Sequence, residues 1–245
     1  MLVLIKGLAS FIIFFVSSQI FTLLIPIPFI DQKNSARNIY TRLLTFYARL
    51  VLKTHFNIHI KYINREKNTF DKPAMIVCNH QSMIDVPISL AFTSKMRVLN
   101  NNWHDNAWAR FFITKYIGFF SIFENKDKLV RELKKPVEMG CPLLVFPEGR
   151  LSHGQKIIRL HKGGFYIAEK LNIDILPVVI YYSEDVLKKR WFYLKNGDVI
   201  VKFLDRVEYG SKNYGATYQE LTDNVMEKMR SAFANIHRLY QQGEF

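Results

Sequence analysis

The chain has 245 residues, 49% hydrophobic and 22% charged, which allows one sizeable domain with its own core and excludes a disordered chain or a polytopic membrane protein. Its 34 Lys and Arg against 21 Asp and Glu give a formal charge of +13. A surplus of that size points to an anionic partner (nucleic acid, anionic lipid headgroups or a phosphate-bearing substrate), although a basic solvated surface has the same composition.

Residues 7–30 are almost entirely apolar and carry no charged side chain; Lys6 precedes them, and Pro26, Pro28, Asp31 and Lys33 close the run. A stretch of this length can enter or cross a bilayer. A signal peptide would need a small-x-small cleavage site, and Ser17-Ser18-Gln19 is a poor one. A core helix this uniformly apolar would need burial on all sides, so a membrane anchor or half-inserted helix fits best. Residues 35–56 then alternate Arg37, Arg42, Arg49 and Lys53 with Ile39, Leu43, Phe46, Tyr47, Leu50 and Val51 at helical spacing. A basic amphipathic helix suits the headgroup layer of an anionic membrane; a surface helix packed on the domain would show the same pattern. The cations after the apolar run place the main domain on the cytoplasmic side. Residues 1–56 thus read as a membrane-associated helical hairpin.

Beyond Lys61 short apolar runs alternate with turn residues. Strands are predicted at 74–78, 97–99, 142–146, 173–180 and 199–204, with helices at 85–92, 103–116, 127–139 and 164–171 between them. Residues 218–240 put Leu221, Val225, Met229, Phe233 and Ile236 on one face, as expected of a docking helix. Strands alternating with helices predict one α/β domain over residues 57–245. The two cysteines, Cys78 and Cys141, lie in apolar runs without zinc-type spacing and read as buried thiols in a reducing compartment.

Two segments carry chemistry. Asn79-His80-Gln81-Ser82-Met83-Ile84-Asp85 follows a predicted strand. Five helical steps would leave His80 and Asp85 about 140° apart, so the pair can meet only if His80 sits in the turn before the helix. A carboxylate on one ring nitrogen fixes the tautomer and makes the other a competent general base. That is a base with its orienter but without a nucleophilic serine; Ser82 is expected to serve the turn. Phe146-Pro147-Glu148-Gly149-Arg150-Leu151-Ser152 follows another strand, and Pro147 and Gly149 force a turn at the sheet edge where α/β ligands bind. Arg150 suits a phosphate, and Glu148 can order a hydroxyl or the arginine; a solvated turn with a Glu–Arg pair is the plainer alternative.

In this order and spacing the chain resembles the glycerophospholipid acyltransferase family that includes bacterial lysophosphatidic acid acyltransferases. His80 and Asp85 match its His-x4-Asp motif, and Phe146 to Gly149 match its Phe-Pro-Glu-Gly motif. Lys162-Gly163-Gly164-Phe165 with Ala168, and Leu176-Pro177-Val178-Val179-Ile180, are similar to two weaker blocks. The resemblance covers roughly residues 60 to 205 and implies a mixed β-sheet flanked by helices. The chain departs from the family at Ile122-Phe123-Glu124-Asn125, where Asn125 stands in place of the arginine implicated in holding the acceptor's phosphate; Lys126 or Lys128 are the nearby replacements. The expected acceptor is therefore 1-acylglycerol-3-phosphate or a related lysolipid such as a lyso-aminolipid.

The resemblance implies transfer of a fatty acyl group from acyl-CoA or acyl carrier protein to a lysolipid hydroxyl, without a covalent acyl-enzyme. His80 would be the base, Asp85 its orienter, and Glu148, Gly149, Arg150 and Lys162 the substrate-binding set. Backbone donors near Gly149 or after His80 would receive the oxyanion. No metal or cofactor is called for. The expected setting is the cytoplasmic face of a membrane, as in a bacterial inner membrane. The rivals are a CoA-independent transacylase or remodelling enzyme, and a non-catalytic membrane-binding protein on the same scaffold. A nucleic-acid binder is disfavoured, since no zinc-finger or RNP-like motif is present.

Overall fold

The computed structural model describes residues 12, 34–54, 58–66, 68, 70–100, 119–122, 125–152, 154, 156–186 and 197–245. Apart from Ile12, the expected apolar segment 7–30 lies outside these residues, as does the expected helix 103–116. Of the anticipated N-terminal hairpin only the second helix is described.

In chain order the described elements are α1 (Asn34–Thr54), β1 (Ile58–Ile63), β2 (Ala74–Cys78), α2 (Asp85–Leu90), β3 (Arg97–Asn100), β4 (Phe119–Ser121), α3 (Lys126–Glu138), β5 (Leu143–Val145), α4 (Gly163–Lys170), β6 (Asp174–Tyr181), α5 (Ser183–Val186), β7 (Gly197–Phe203) and α6 (Tyr218–Gln241). The strands form a seven-stranded sheet ordered β1-β7-β6-β2-β5-β3-β4. From β6 to β4 every pairing is parallel; β7 runs antiparallel to β6, and β1 runs parallel to β7. The sheet is mixed and flanked by helices, as the resemblance implied.

Period-two alternation divides the core between the two faces. In β2, Met75 and Val77 join the layer under α3, α4 and α6, while Ala74, Ile76 and Cys78 join the layer with α1 and α2. All five residues of β2 and all eight of β6 are buried, which is why these central strands read as continuous apolar runs. Strand β1 was not predicted: its apolar residues are split by His59 and Lys61, the pattern of a half-exposed edge strand. Helix α6 buries the five predicted residues, and Thr217 caps it by accepting from Glu220 N at 3.3 Å while Glu220 Oε2 accepts from Ala216 N at 2.7 Å. Both cysteines are buried free thiols, and burial pushes the Cys78 thiol up to about 12.

Helix α1 packs against α2. Thr41, Thr45 and Ala48 are buried on its inner side, and the Thr45 hydroxyl donates to the carbonyls of Leu90 and Thr93 at 3.0 and 3.2 Å. Arg49, expected among the headgroup-facing cations, donates instead to the Ala91 carbonyl at 3.1 Å, because it sits where α2 presents its unpaired C-terminal carbonyls. On the outer side Leu43, Phe46 and Leu50 are 47%, 66% and 45% exposed. Among the described residues no helix is long and apolar enough to cross a membrane.

Helix α4 starts on two glycines, of which the second lies where the helix crosses β5 closely. A Cβ on Gly164 would lie 3.2 and 3.3 Å from the two Val145 methyl carbons. Gly164→Val should therefore cost about 2 kcal/mol by overpacking. The check is a lowered urea midpoint at unchanged slope; an unchanged midpoint would mean that α4 shifts freely.

Candidate active site

The parallel strands β2, β5, β3 and β4 end on one edge of the sheet, and residues of β3 and β5 together with residues that follow β2, β5 and β4 line a cavity of about 600 Å³. Its sides are largely apolar, with Met83, Val86, Leu90, Val98, Leu144 and Phe146 among them. The carboxyl edge of parallel strands is where α/β sheets bind ligands.

His80 lies in this wall, half-buried, in the turn between β2 and α2. Its Nδ1 is 3.2 Å from Asp85 Oδ2, so the predicted pair does meet. Asp85, the first residue of α2, is buried. The same Oδ2 accepts the backbone N–H groups of Gln81 at 2.7 Å and Ser82 at 2.8 Å. The carboxylate thus closes the turn and aims the imidazole with one oxygen; Oδ1 has no hydrogen bond. A proton on Nδ1 directed at Asp85 leaves Nε2 as the accepting nitrogen. Ser82 keeps the expected turn role, its carbonyl accepting from Asp85 N at 3.1 Å.

The rest of the turn is held from neighbouring strands. Asn79 exchanges two hydrogen bonds with the Ile180 backbone on β6, at 2.8 and 2.7 Å. The His80 N–H donates to Glu148 Oε1 at 2.7 Å, and the His80 carbonyl accepts from Ser152 N at 2.8 Å and Ser152 Oγ at 3.1 Å. The His80 ring stacks on Phe146 at 4.4 Å. The second motif therefore clamps the main chain of the first.

Glu148 is 1% exposed and does not line the cavity, contrary to the expectation that it orders an acceptor hydroxyl or Arg150. Its second oxygen accepts from Ile158 N at 3.2 Å. Burial raises its pKa, against the lowering pull of hydrogen bonds from the His80 N–H, the Ser152 side chain and the Ile158 N–H. The backbone donors expected for an oxyanion are likewise committed: Gln81 and Ser82 to Asp85, and Gly149 N to the Phe146 carbonyl at 3.1 Å. Gly149 turns the chain there with φ +67°.

Arg150 and Lys162 do reach the cavity, joined by Lys126 and by His161, which the sequence reading missed. Among the described residues, those four basic side chains and His80 share a lining that contains no carboxylate. Asn125, in the place of the family's arginine, is a helix cap whose Oδ1 accepts from Asp127 N and Lys128 N at 3.0 and 3.1 Å. Lys128 faces Glu132 at 3.9 Å and is not in the cavity wall, so of the two suggested replacements only Lys126 is placed there.

Comparison with known proteins gives a consistent picture. A profile of the Acyltransferase family matches residues 58–181. A Caenorhabditis elegans protein named as a 1-acyl-sn-glycerol-3-phosphate acyltransferase is 29% identical over 198 residues, 76% of this chain and 68% of that protein. The 1-acyl-sn-glycerol-3-phosphate acyltransferase of Saccharomyces cerevisiae is 25% identical over 63% of this chain, which spans only 53% of the yeast protein. The crystal structure of the 1-acyl-sn-glycerophosphate (LPA) acyltransferase from Thermotoga maritima superposes with a TM-score of 0.74, covering 94% of this chain and 97% of that one at 20% identity. That likeness shows a shared fold.

Proposed function

The chain belongs to the Acyltransferase family, and on that footing we propose that it esterifies the free hydroxyl of a phosphate-bearing lysolipid, 1-acylglycerol-3-phosphate or a close relative, with a fatty acyl group from a thioester. The observation that carries this reading is the His80–Asp85 pair in the wall of an apolar cavity shared with Lys126, Arg150, His161 and Lys162.

The apolar sides suit an acyl chain, and the cations suit a phosphate. His80 Nε2 takes the hydroxyl proton as the hydroxyl oxygen attacks the thioester carbonyl carbon. Asp85 stabilises the imidazolium as it forms. The carbonyl oxygen gathers negative charge beside several cations of the cavity wall. When the carbon–sulfur bond breaks, the thiolate recovers the proton from the imidazolium, leaving ester and free thiol. Glu148 and Ser152 contribute by fixing the His80 main chain. The outer face of α1, with Leu43, Phe46 and Leu50, supports a lipid surface on that side of the molecule, where a lysolipid acceptor resides.

The phosphate assignment is tested by Lys126→Ala. Loss of one charge-assisted contact should raise KM for 1-acylglycerol-3-phosphate about tenfold and leave kcat within about twofold. KM for a monoacylglycerol, which lacks the phosphate, should not respond. Equal effects on both acceptors, or on neither, would remove Lys126 from the phosphate site.

A further inference from the structure

We propose that Tyr166 positions the Lys126 ammonium for the acceptor's phosphate by holding it against the face of its ring; this rests on the phosphate reading above and names the residue that sets its geometry. Lys126 is the first residue of α3 and lines the cavity. Its ammonium rides on a flexible four-carbon stem, and among the described residues it forms no ion pair. Its Nζ lies 5.5 Å from the centroid of the Tyr166 ring. That is within reach of the attraction between a cation and the negative face of an aromatic ring.

The ring is itself held in place. Tyr166 stands on α4 one turn beyond Lys162, another residue of the cavity wall, so the two share a helix face. The phenol O–H donates to Asp127 Oδ1 at 3.1 Å, which ties the ring to the first turn of α3. The ring of Tyr218, at the start of α6, packs against it at 89° with centroids 5.5 Å apart. Lys170, one turn farther along α4, has its Nζ 5.6 Å from the same centroid but does not line the cavity. Of the two cations on this ring, Lys126 is therefore the one a ligand in the cavity can meet. A ring restrains a cation differently from a carboxylate. An ion pair with Asp127 would cancel much of the charge that a phosphate needs, and that carboxylate is instead engaged by the phenol. The neutral ring holds the ammonium by its quadrupole and leaves the charge and the N–H donors to the ligand.

The test uses the full chain with Tyr166→Leu and Tyr166→Phe, and with Tyr166→Leu combined with Lys126→Ala. Expected for Tyr166→Leu is a rise of about threefold in KM for 1-acylglycerol-3-phosphate, with kcat unchanged and KM for a monoacylglycerol unchanged. Tyr166→Phe keeps the ring and loses only the bond to Asp127, so its KM should stay at the wild-type value. In the Lys126→Ala protein, Tyr166→Leu should add nothing, because the residue acts through that ammonium. An unchanged KM in Tyr166→Leu would overturn the proposal, as would Tyr166→Phe being equally impaired. A rise for both acceptors, or a further rise in the absence of Lys126, would assign Tyr166 to packing between α3 and α4 instead. A second readout does not depend on turnover: NMR of isotopically labelled methyl groups placed on the lysines by reductive methylation, which keeps their charge. The Lys126 resonance, identified by its loss in Lys126→Ala, should lie upfield under the ring current in wild type and in Tyr166→Phe. In Tyr166→Leu it should move to the position of the exposed lysines. If Lys126→Ala leaves KM unchanged, or no transfer occurs at all, the phosphate reading fails, and this resonance still judges whether Tyr166 holds Lys126: a signal that moves in Tyr166→Leu supports it, and an unmoved one overturns it.

Discussion

Replacing His80 by Ala is expected to lower kcat by about a thousandfold while leaving the fold in place, the range associated with loss of a positioned general base. The fold should survive because the contacts that organise the turn are made by the main chain. The His80 N–H goes to Glu148, its carbonyl takes Ser152, and Asn79 bonds the Ile180 backbone; none of these involves the imidazole. The lost contacts are the 3.2 Å approach to Asp85 and the stacking on Phe146. Near-normal turnover by a folded His80→Ala protein would remove this residue from the chemistry.

Asp85→Ala should be worse, failing in stability as well as rate. The Asp85 carboxylate is buried and takes two backbone N–H groups besides the imidazole. Removing it leaves those donors without an acceptor, at about 1–3 kcal/mol each, so a loss of roughly 3 kcal/mol is expected by urea unfolding. The rate should fall at least about a hundredfold, because Nδ1 loses the group that fixes its tautomer and stabilises the imidazolium. Asp85→Asn separates the two effects. One amide oxygen can still accept from the turn, so part of the stability should return while the rate stays low. Wild-type kcat in Asp85→Asn would show that the charge on Asp85 is dispensable.

The scaffold was largely legible because its central strands are buried on both faces. The runs 74–78, 142–146 and 173–180 could be read to within a residue or so of β2, β5 and β6, and helix α6 was visible from the spacing of Leu221 to Ile236. Strand β1 escaped because one of its faces is polar, and β4 because three residues carry no periodicity. The His80–Asp85 pair was readable once a turn was placed between them. The function of Glu148 was not, since a sequence does not say which way a carboxylate points. Its oxygens turn inward to the His80 and Ile158 N–H groups, and the conspicuous Pro-Glu-Gly turn acts by holding the other motif. Asn125 looked like a missing arginine and is a helix cap. A signal was there: an Asn directly before the helical run that begins at Lys126, with an acidic residue in the first turn. His161 carried no local signal, because the Pro147 carbonyl that accepts its N–H at 2.7 Å is fourteen residues away, and that contact sets it beside the cavity.

The most direct measurement is the amount of phosphatidate and of free thiol formed by the purified full chain from palmitoyl-CoA and 1-acylglycerol-3-phosphate in detergent micelles, beside the folded His80→Ala protein. The expected result is one ester per thiol released, dependent on the acceptor and nearly absent in the variant. Thiol release without lipid product, or undiminished phosphatidate in the absence of the imidazole, would contradict a transfer driven by His80.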